Sequence, residues 1–402
     1  MKILFLTENS YCGGMDKFTF TLMNHWPQKD KFVFVCNYDH PGVNNIKSGL
    51  IRDVEFILHR CWKKSQFERV YNNWDPIRKS LMKLIMFFGQ YVLFLFYIFY
   101  FYFVIKRISP DRIIICNGGY PAGDTCRAAV ISSLLLGLKS KPLFVYHGNP
   151  VKPNIVKIPI EYLIDWFVGL GVSYFVTVSQ DTQYYLINRP MLAKWKKHLV
   201  IYNGIEIPEK FAKNSIREEL GIGKNDFVVL MLGTYEERKG HDFLFRSFTK
   251  VSQKIPNVYL LIGGDGYPFD RERIRGLIEK YNLSSKVFLL GFRNDILSIL
   301  QETDVLVAPS QYYESFNLCL VEAMSQKVPI VATKVGGMPE VLSEGGGVMV
   351  PLDPDAFAEE VIKLSQDTNL RKKYGEEGRQ VYQRRFRPSL MSEKYYQLLN
   401  NS

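Results

Sequence analysis

Two carboxylates, Glu314 and Glu322, stand eight residues apart around the run Ser315-Phe316-Asn317-Leu318-Cys319-Leu320-Val321, entered from the strand-like Asp304-Val305-Leu306-Val307-Ala308-Pro309-Ser310. A helix starting near Phe316 would turn its unpaired N–H groups and positive dipole end toward the loop that carries Glu314, which suits a diphosphate. The backbone of Ser315, Phe316, Asn317 and Leu318 would line that anion site. A carboxylate beside it is a poor phosphate ligand but a good acceptor for sugar hydroxyls, the role expected of Glu314. Glu322, about two turns into the helix, is placed to accept from a ribose 2'- and 3'-hydroxyl pair. Taken alone, the two glutamates read equally well as solvated carboxylates on a loop and a helix.

Those residues need elements to hold them. Phe227 to Leu232 reads as a strand, followed by a loop with Arg238 and Lys239 and a helix opening after Gly240. Val258 to Ile262 leads into Gly263-Gly264-Asp265-Gly266, and a basic helix over 269–280 follows. Val287 to Leu290 ends in a loop carrying Phe292 and Arg293. In the first half, Lys2–Leu6, Phe32–Cys36, Val54–Leu58, Arg112–Cys116, Leu143–His147 and Tyr174–Ser179 alternate with helix-like runs and read as one parallel sheet. Gly13-Gly14 lies between the first strand and its helix, where a missing Cβ permits close backbone approach to a ligand. His147 closes its strand at a carboxyl edge, the edge where open α/β sheets bind ligands. Ser179 caps the helix that begins at Gln180.

The chain has 402 residues, enough for two cored domains, with 47% apolar and 23% charged residues, which excludes a disordered chain. Its six cysteines, Cys12 among them, show no Cys-x-x-Cys spacing, which favours reduced thiols in a cytosolic protein over a disulfide framework or a zinc site. Residues 1–207 carry 25 basic against 14 acidic groups, while the remainder is balanced, so the formal charge of +11 belongs to the first half. That asymmetry asks for an anionic partner. Nucleic acid is not indicated, since neither a helix-turn-helix nor a zinc-finger or RNP-type pattern occurs. An anionic membrane surface fits better, because Leu84 to Ile105 is 22 residues without a charge, eleven of them aromatic, bracketed by Lys79, Lys83, Lys106 and Arg107. A single crossing would split one sheet across a bilayer. The segment, about 81–107, therefore reads as a monotopic anchor with one face on the first domain and the other in the cytoplasmic leaflet.

The Glu314 and Glu322 spacing, with Gly263-Gly264-Asp265-Gly266 upstream and Thr333-Lys334-Val335-Gly336-Gly337-Met338-Pro339-Glu340 downstream, resembles the retaining glycosyltransferase family 4. The resemblance implies the GT-B fold, two facing α/β Rossmann-like domains with parallel sheets and a ligand cleft between them. It implies an N-terminal acceptor domain over 1–207, a donor domain over 208–385 entered through a linker at 208–215, and a final helix over 386–402 crossing back to the N-terminal domain. Lys239 matches the family's diphosphate lysine, whereas Thr234 stands where its arginine is usual, leaving Arg238 to supply the guanidinium. Asn317 replaces a glycine, and Glu206 follows Asn203-Gly204-Ile205 where Asp is usual. By the same resemblance Gly14 faces the donor diphosphate, His147 contacts the donor sugar, and Phe292 and Arg293 lie where relatives hold the base. The implied activity is transfer of a sugar, with retention, from a nucleoside-diphosphate sugar to a lipid-linked or glycan acceptor in cell-surface polysaccharide or glycolipid synthesis. Glu314, His147 and Lys239 would be the catalytic set. With no Asp-x-Asp segment suited to a divalent ion at the diphosphate, neither metal nor other cofactor is expected. The same fold also serves nucleotide-sugar epimerases, and a non-enzymatic nucleotide-sugar-binding membrane protein would share the motifs.

Overall fold

The computed structural model describes residues 1–10, 13–62, 66, 74–207 and 215–401. Cys12 and the linker expected over 208–215, Ser215 excepted, lie outside the described residues. The chain divides into two compact units, Met1–Ile201 with Met391–Ser402, and Tyr202–Leu390.

The first unit is built on seven strands, β1 (Lys2–Glu8), β2 (Lys31–Asn37), β3 (Val54–His59), β4 (Arg112–Asn117), β5 (Leu143–Tyr146), β6 (Tyr174–Thr177) and β7 (His198–Val200). All pair in parallel, in the order β3-β2-β1-β4-β5-β6-β7. Strands such as Lys2–Glu8 and Arg112–Asn117 are apolar on both faces because helices cover both sides of the sheet. The order reverses at β1 and β4, the switch point whose carboxyl ends hold Glu8 and Asn117.

Between β3 and β4 runs a helix, Pro76–Ile108, longer at both ends than the apolar run suggests. Its start is fixed by Asp75, whose carboxylate accepts from Ile77 N and Arg78 N at 3.2 and 3.1 Å, with Pro76 at the first helical position. It ends at Ser109, in left-handed conformation at φ 49°, with Pro110 following. Phe94, Tyr97, Ile98, Phe101, Ile105 and Ile108 repeat at helical spacing and enter the core. On the opposite face, Leu84, Ile85, Phe88, Val92, Phe96, Phe99 and Phe103 are 53 to 67% exposed. The helix is long and apolar enough to cross a membrane, yet the strands before and after it lie in one sheet.

The last helix, Pro388–Asn400, contributes Met391, Tyr395 and Leu399 to the first unit's core. Tyr395 meets Phe18 at 5.7 Å between ring centroids, and Arg112 Nε donates to the Leu399 carbonyl at 2.9 Å.

The second unit carries six parallel strands, β8 (Phe227–Leu232), β9 (Val258–Gly263), β10 (Val287–Gly291), β11 (Val305–Ala308), β12 (Ile330–Thr333) and β13 (Gly347–Val350), in the order β10-β9-β8-β11-β12-β13. Residues 202–207 belong to this unit, earlier than the boundary read from sequence, and so do residues 386–390. Ile205 N donates to the Phe386 carbonyl at 3.1 Å, and Phe386 is fully buried.

Candidate active site

The second unit gathers its chemistry at the carboxyl ends of β8 and β11, the strands on either side of the reversal. After β8 a short turn, Glu237–Lys239, presents Arg238 and Lys239. Gly240 ends it at φ 78°, where an added Cβ would lie 2.0 Å from the Pro309 carbonyl oxygen, so only glycine lets this loop close on the exit of β11. Gln311 N donates to the Arg238 carbonyl at 2.9 Å and fastens the two loops.

That closure brings the cations onto Glu314. The carboxylate, 8% exposed, accepts from Lys239 Nζ, from Arg238 Nη1 at 3.3 Å and from Ser310 Oγ at 3.3 Å. Arg238 also donates to Glu236 at 2.6 Å and lies over the Tyr313 ring, 5.1 Å from its centroid. Burial works against the charge on Arg238, but Glu314 and Glu236 outweigh it and hold the guanidinium pKa up. Burial likewise opposes the charge on Glu236, and its bonds from Arg238 and Thr234 overcome this and keep its carboxyl below the usual range. Thr234, in the family's arginine position, donates to Glu236 at 2.7 Å, so it steadies the arginine that does reach the cluster.

The backbone of Glu314 is fixed from the other side. Gly337 N donates to its carbonyl at 2.7 Å, and Gly336 passes it at φ 58°, where a Cβ would fall 2.2 Å from that oxygen. The helix after it starts at Leu318, not at Phe316, and spans Leu318–Ser325. Phe316 is buried against Tyr202 and Phe386, at 6.0 and 5.7 Å between ring centroids. Asn317 adopts φ 64°, the left-handed conformation natural to glycine, and its side chain accepts from Cys319 N at 3.2 Å. The substitution thus preserves the turn and occupies one of the amides that an anion could otherwise use. Ser315 is buried beside Glu314, and Glu322 is buried in the second turn of the helix.

Two expected residues stand apart from this cluster. Phe292 is exposed beyond β10, and Arg293 is committed to Glu219 at 2.8 and 2.9 Å and to Asp295 at 2.7 and 2.8 Å. Its hydrogen bonds, first to Asp295 and then to Glu219, push its pKa up.

In the first unit, Gly14 opens the helix Gly14–Asn24. The loop before it is pinned by Asp16, which accepts from Gly13 N at 3.0 Å, from Asn9 at 3.3 Å and pairs with buried His40 at 2.8 Å. His147 follows β5 with its ring 4.4 Å from that of Phe18, and its backbone N–H donates to the Asn117 carbonyl at 3.0 Å. Burial pushes its imidazole down to about 4, so it is neutral at physiological pH. Ser179 caps the helix at Gln180, accepting from Thr182 N at 3.1 Å.

Sequence reasoning missed Ser310, Glu236, Tyr313 and Asp16. Ser310 and Tyr313 flank Glu314 within four residues, a proximity that could have flagged them; Asp16 and Glu236 act through folded geometry.

Residues 212–381 match the family model for glycosyl transferases group 1. Among curated proteins, the chain is similar to N-acetyl-alpha-D-glucosaminyl L-malate synthase of Bacillus anthracis, 24% identical over 66% of this chain and 69% of that protein. It is also similar to a UDP-Gal:alpha-D-GlcNAc-diphosphoundecaprenol alpha-1,3-galactosyltransferase of Escherichia coli, 32% identical over 42% of this chain and 45% of that one. The second alignment spans less than half of that relative's length. Among solved structures, Anabaena HepE in complex with UDP-glucose matches with a TM-score of 0.73 and 19% identity, covering 100% of both chains. The chain therefore has the fold of solved glycosyltransferases along its length, and its residues 212–381 carry the match to the group 1 glycosyl transferases.

Proposed function

We propose that this protein is a retaining glycosyltransferase that moves a sugar from a nucleoside-diphosphate donor to a lipid-linked or membrane-proximal glycan acceptor, at the cytoplasmic face of a membrane. The observation that carries the reading is the part-buried cluster of Glu314, Lys239 and Arg238 within the residues that match the group 1 glycosyl transferases. HepE was solved with UDP-glucose, and the Escherichia coli relative is named for a UDP-Gal donor and a diphosphoundecaprenol acceptor, so a uridine donor is the first to test.

Departure of the nucleotide builds negative charge on the β-phosphate and oxocarbenium character on the sugar. Lys239 and Arg238, exchanging Glu314 for phosphate oxygens, would stabilise that charge from fixed positions. Glu314 then becomes free to accept from sugar hydroxyls, and Glu322 from the ribose pair. With Glu314 assigned to accept from sugar hydroxyls, no carboxylate is assigned to attack on the anomeric carbon, which favours front-face transfer with the leaving phosphate taking the acceptor proton. Neutral His147 is suited to hydrogen-bonding an uncharged sugar. The two protein cations stand in for metal in this account. The outward apolar face of Pro76–Ile108 would serve as the peripheral anchor.

Incubation of the full chain with UDP-sugars and membrane lipid extract tests the reading. Label passing to the lipid fraction in the presence of EDTA, with the donor's anomeric configuration retained, is the expected result. Conversion of donor without acceptor would assign an epimerase, and binding without any turnover a sensor.

A further inference from the structure

The long helix Pro76–Ile108 does not cover its side of the sheet alone. The helices Asp124–Leu135 and Ile158–Gly171 lie on the same side, and Phe101 of the first, Ala128 of the second and Val168 of the third share one core. The middle helix sinks into that core, with Thr125 through Ser133 buried. The exposed sides of the other two remain as two ridges. A cavity of about 540 Å³ opens between them, with Gln90 and Phe94 on one side and Lys157 and Glu161 on the other.

The helix Ile158–Gly171 is inside out for a protein surrounded by water. Its two carboxylates, Glu161 and Asp165, are buried. Arg127 and Arg189 donate to Glu161 at 2.8 and 2.9 Å, and Arg189 and Tyr120 to Asp165 at 3.3 and 2.6 Å. Apart from Pro159, the exposed residues of this helix are Ile160, Leu163, Trp166 and Phe167. Ile160, Leu163 and Phe167 recur at the i, i+3, i+7 spacing of one helical face. A surface helix in water turns its polar side outward, whereas this one spends its charges inward, paired because an unpaired buried charge is costly. The turn before it, Ile155–Lys157, lengthens the stripe with Ile155 and Val156, 80 and 66% exposed.

Cations mark both ends of the stripe. At its start Lys157 Nζ donates to Gln90 at 2.9 Å and lies 5.7 Å from the centroid of the Phe87 ring, which fastens this ridge to the long helix. At its end Lys141 and Lys197 donate to the carbonyls of Leu170 and Val172 at 3.0 and 3.1 Å. Trp195 meets Trp166 at 6.4 Å between ring centroids, and Lys194 and Lys196 on either side of it are exposed. Residues 139–197 carry eight basic groups against three acidic ones, of which Glu161 and Asp165 are buried. An apolar stripe ended by tryptophan and lysine matches the depth profile of a bilayer surface with anionic head groups. A second copy of the chain, seated on the same face by a twofold axis, would set these lysines against their own counterparts.

Resting on the reading of the long helix as a peripheral anchor, we infer that the helix Ile158–Gly171 and the turn before it form a second membrane-contacting ridge. It sets into an anionic leaflet alongside the long helix, with its lysines at the level of the lipid phosphates. One helix lying in a leaflet leaves the protein free to roll about the helix axis. Two ridges from one core remove that freedom and fix which side of the first unit faces the lipid.

The test is flotation of the full chain with vesicles of phosphatidylcholine alone and of phosphatidylcholine with phosphatidylglycerol. The expected result is tighter binding to the phosphatidylglycerol vesicles, weakened about tenfold or more by Ile155→Ser, Val156→Ser and Leu163→Ser together. Lys194→Gln with Lys196→Gln is expected to weaken it about tenfold while leaving binding to phosphatidylcholine unchanged. Unaltered thermal melts in these variants show that the fold is intact. Brominated phospholipids should quench the tryptophan fluorescence of bound wild type more than that of Trp166→Phe. Wild-type binding by the triple serine variant, or equal quenching with and without Trp166, would overturn the inference. Equal binding to the two kinds of vesicle would overturn its anionic part. A dimer in sedimentation velocity without vesicles, abolished by the three serines, would overturn it and assign the face to a second copy. Loss of binding when Phe96, Phe99 and Phe103 become Ser, with none in the triple serine variant, contradicts this inference alone. Absence of wild-type binding to either vesicle contradicts the anchor reading itself.

Discussion

The second unit holds its chemistry within short stretches of chain, while the first assembles its chemistry from distant ones. Glu314, Lys239 and Arg238 come from two loops, each next to a glycine that has no room for a side chain. The cavity of the first unit draws on Glu8, the helix Pro76–Ile108, Arg127, Glu161 and Arg189, spread over most of its length. The charge differs in the same sense, since the excess of basic residues lies wholly within 1–207.

The contrast is most easily broken at Glu314. Glu314→Ala is expected to lower kcat by about 10²- to 10³-fold. UDP binding should be unchanged or tighter, since Lys239 and Arg238 lose the carboxylate that occupies them. Steady-state kinetics with a UDP-sugar, set beside calorimetry, separate the two effects. On the first unit, Phe96, Phe99 and Phe103 together changed to Ser should move most of the protein from the membrane pellet to the supernatant in a sedimentation assay, leaving UDP binding intact. The three residues are 58 to 66% exposed and pack nothing in the core, so thermal stability should hold.

The second unit was the more legible from sequence because its signals are local. Glycines at 240 and 336 are required by single close approaches, and a carboxylate after an apolar strand needs no partner to be noticed. Asn317 shows the limit of such reading. Its tolerance of the left-handed turn was legible, but its side chain's capture of Cys319 N was not, because that bond exists only once the helix starts at Leu318. The first unit's parallel sheet was equally clear from its alternating strands and helices. The apolar helix was found by length and composition, yet the separation of its faces becomes visible only when β1 and β4 lie side by side beneath it.

A finer test of the local account is Asn317→Gly. It releases Cys319 N to an anion at a helix-cap cost of a few tenths of a kcal/mol, so UDP should bind a few-fold more tightly in calorimetry. The smallest expected effect concerns pH. Burial first, then Arg273 and Lys239, push His241 down to about 3, and burial pushes His147 down to about 4. Both are neutral in the folded chain and titrate near 6.5 when unfolded, so their contribution is complete above about pH 6.5 and is lost as pH falls toward 4. Thermal melts should therefore drop over that window, and His241→Phe should flatten the slope by removing one of the two groups.

The central claim, that the second unit binds a nucleoside diphosphate through Lys239, is tested most directly by the thermal stabilisation of wild type and Lys239→Ala by UDP, GDP and ADP. The account predicts a rise in melting temperature with one diphosphate, UDP first, that is largely abolished in the variant. The absence of a shift with all three, or a shift that Lys239→Ala leaves untouched, would contradict it.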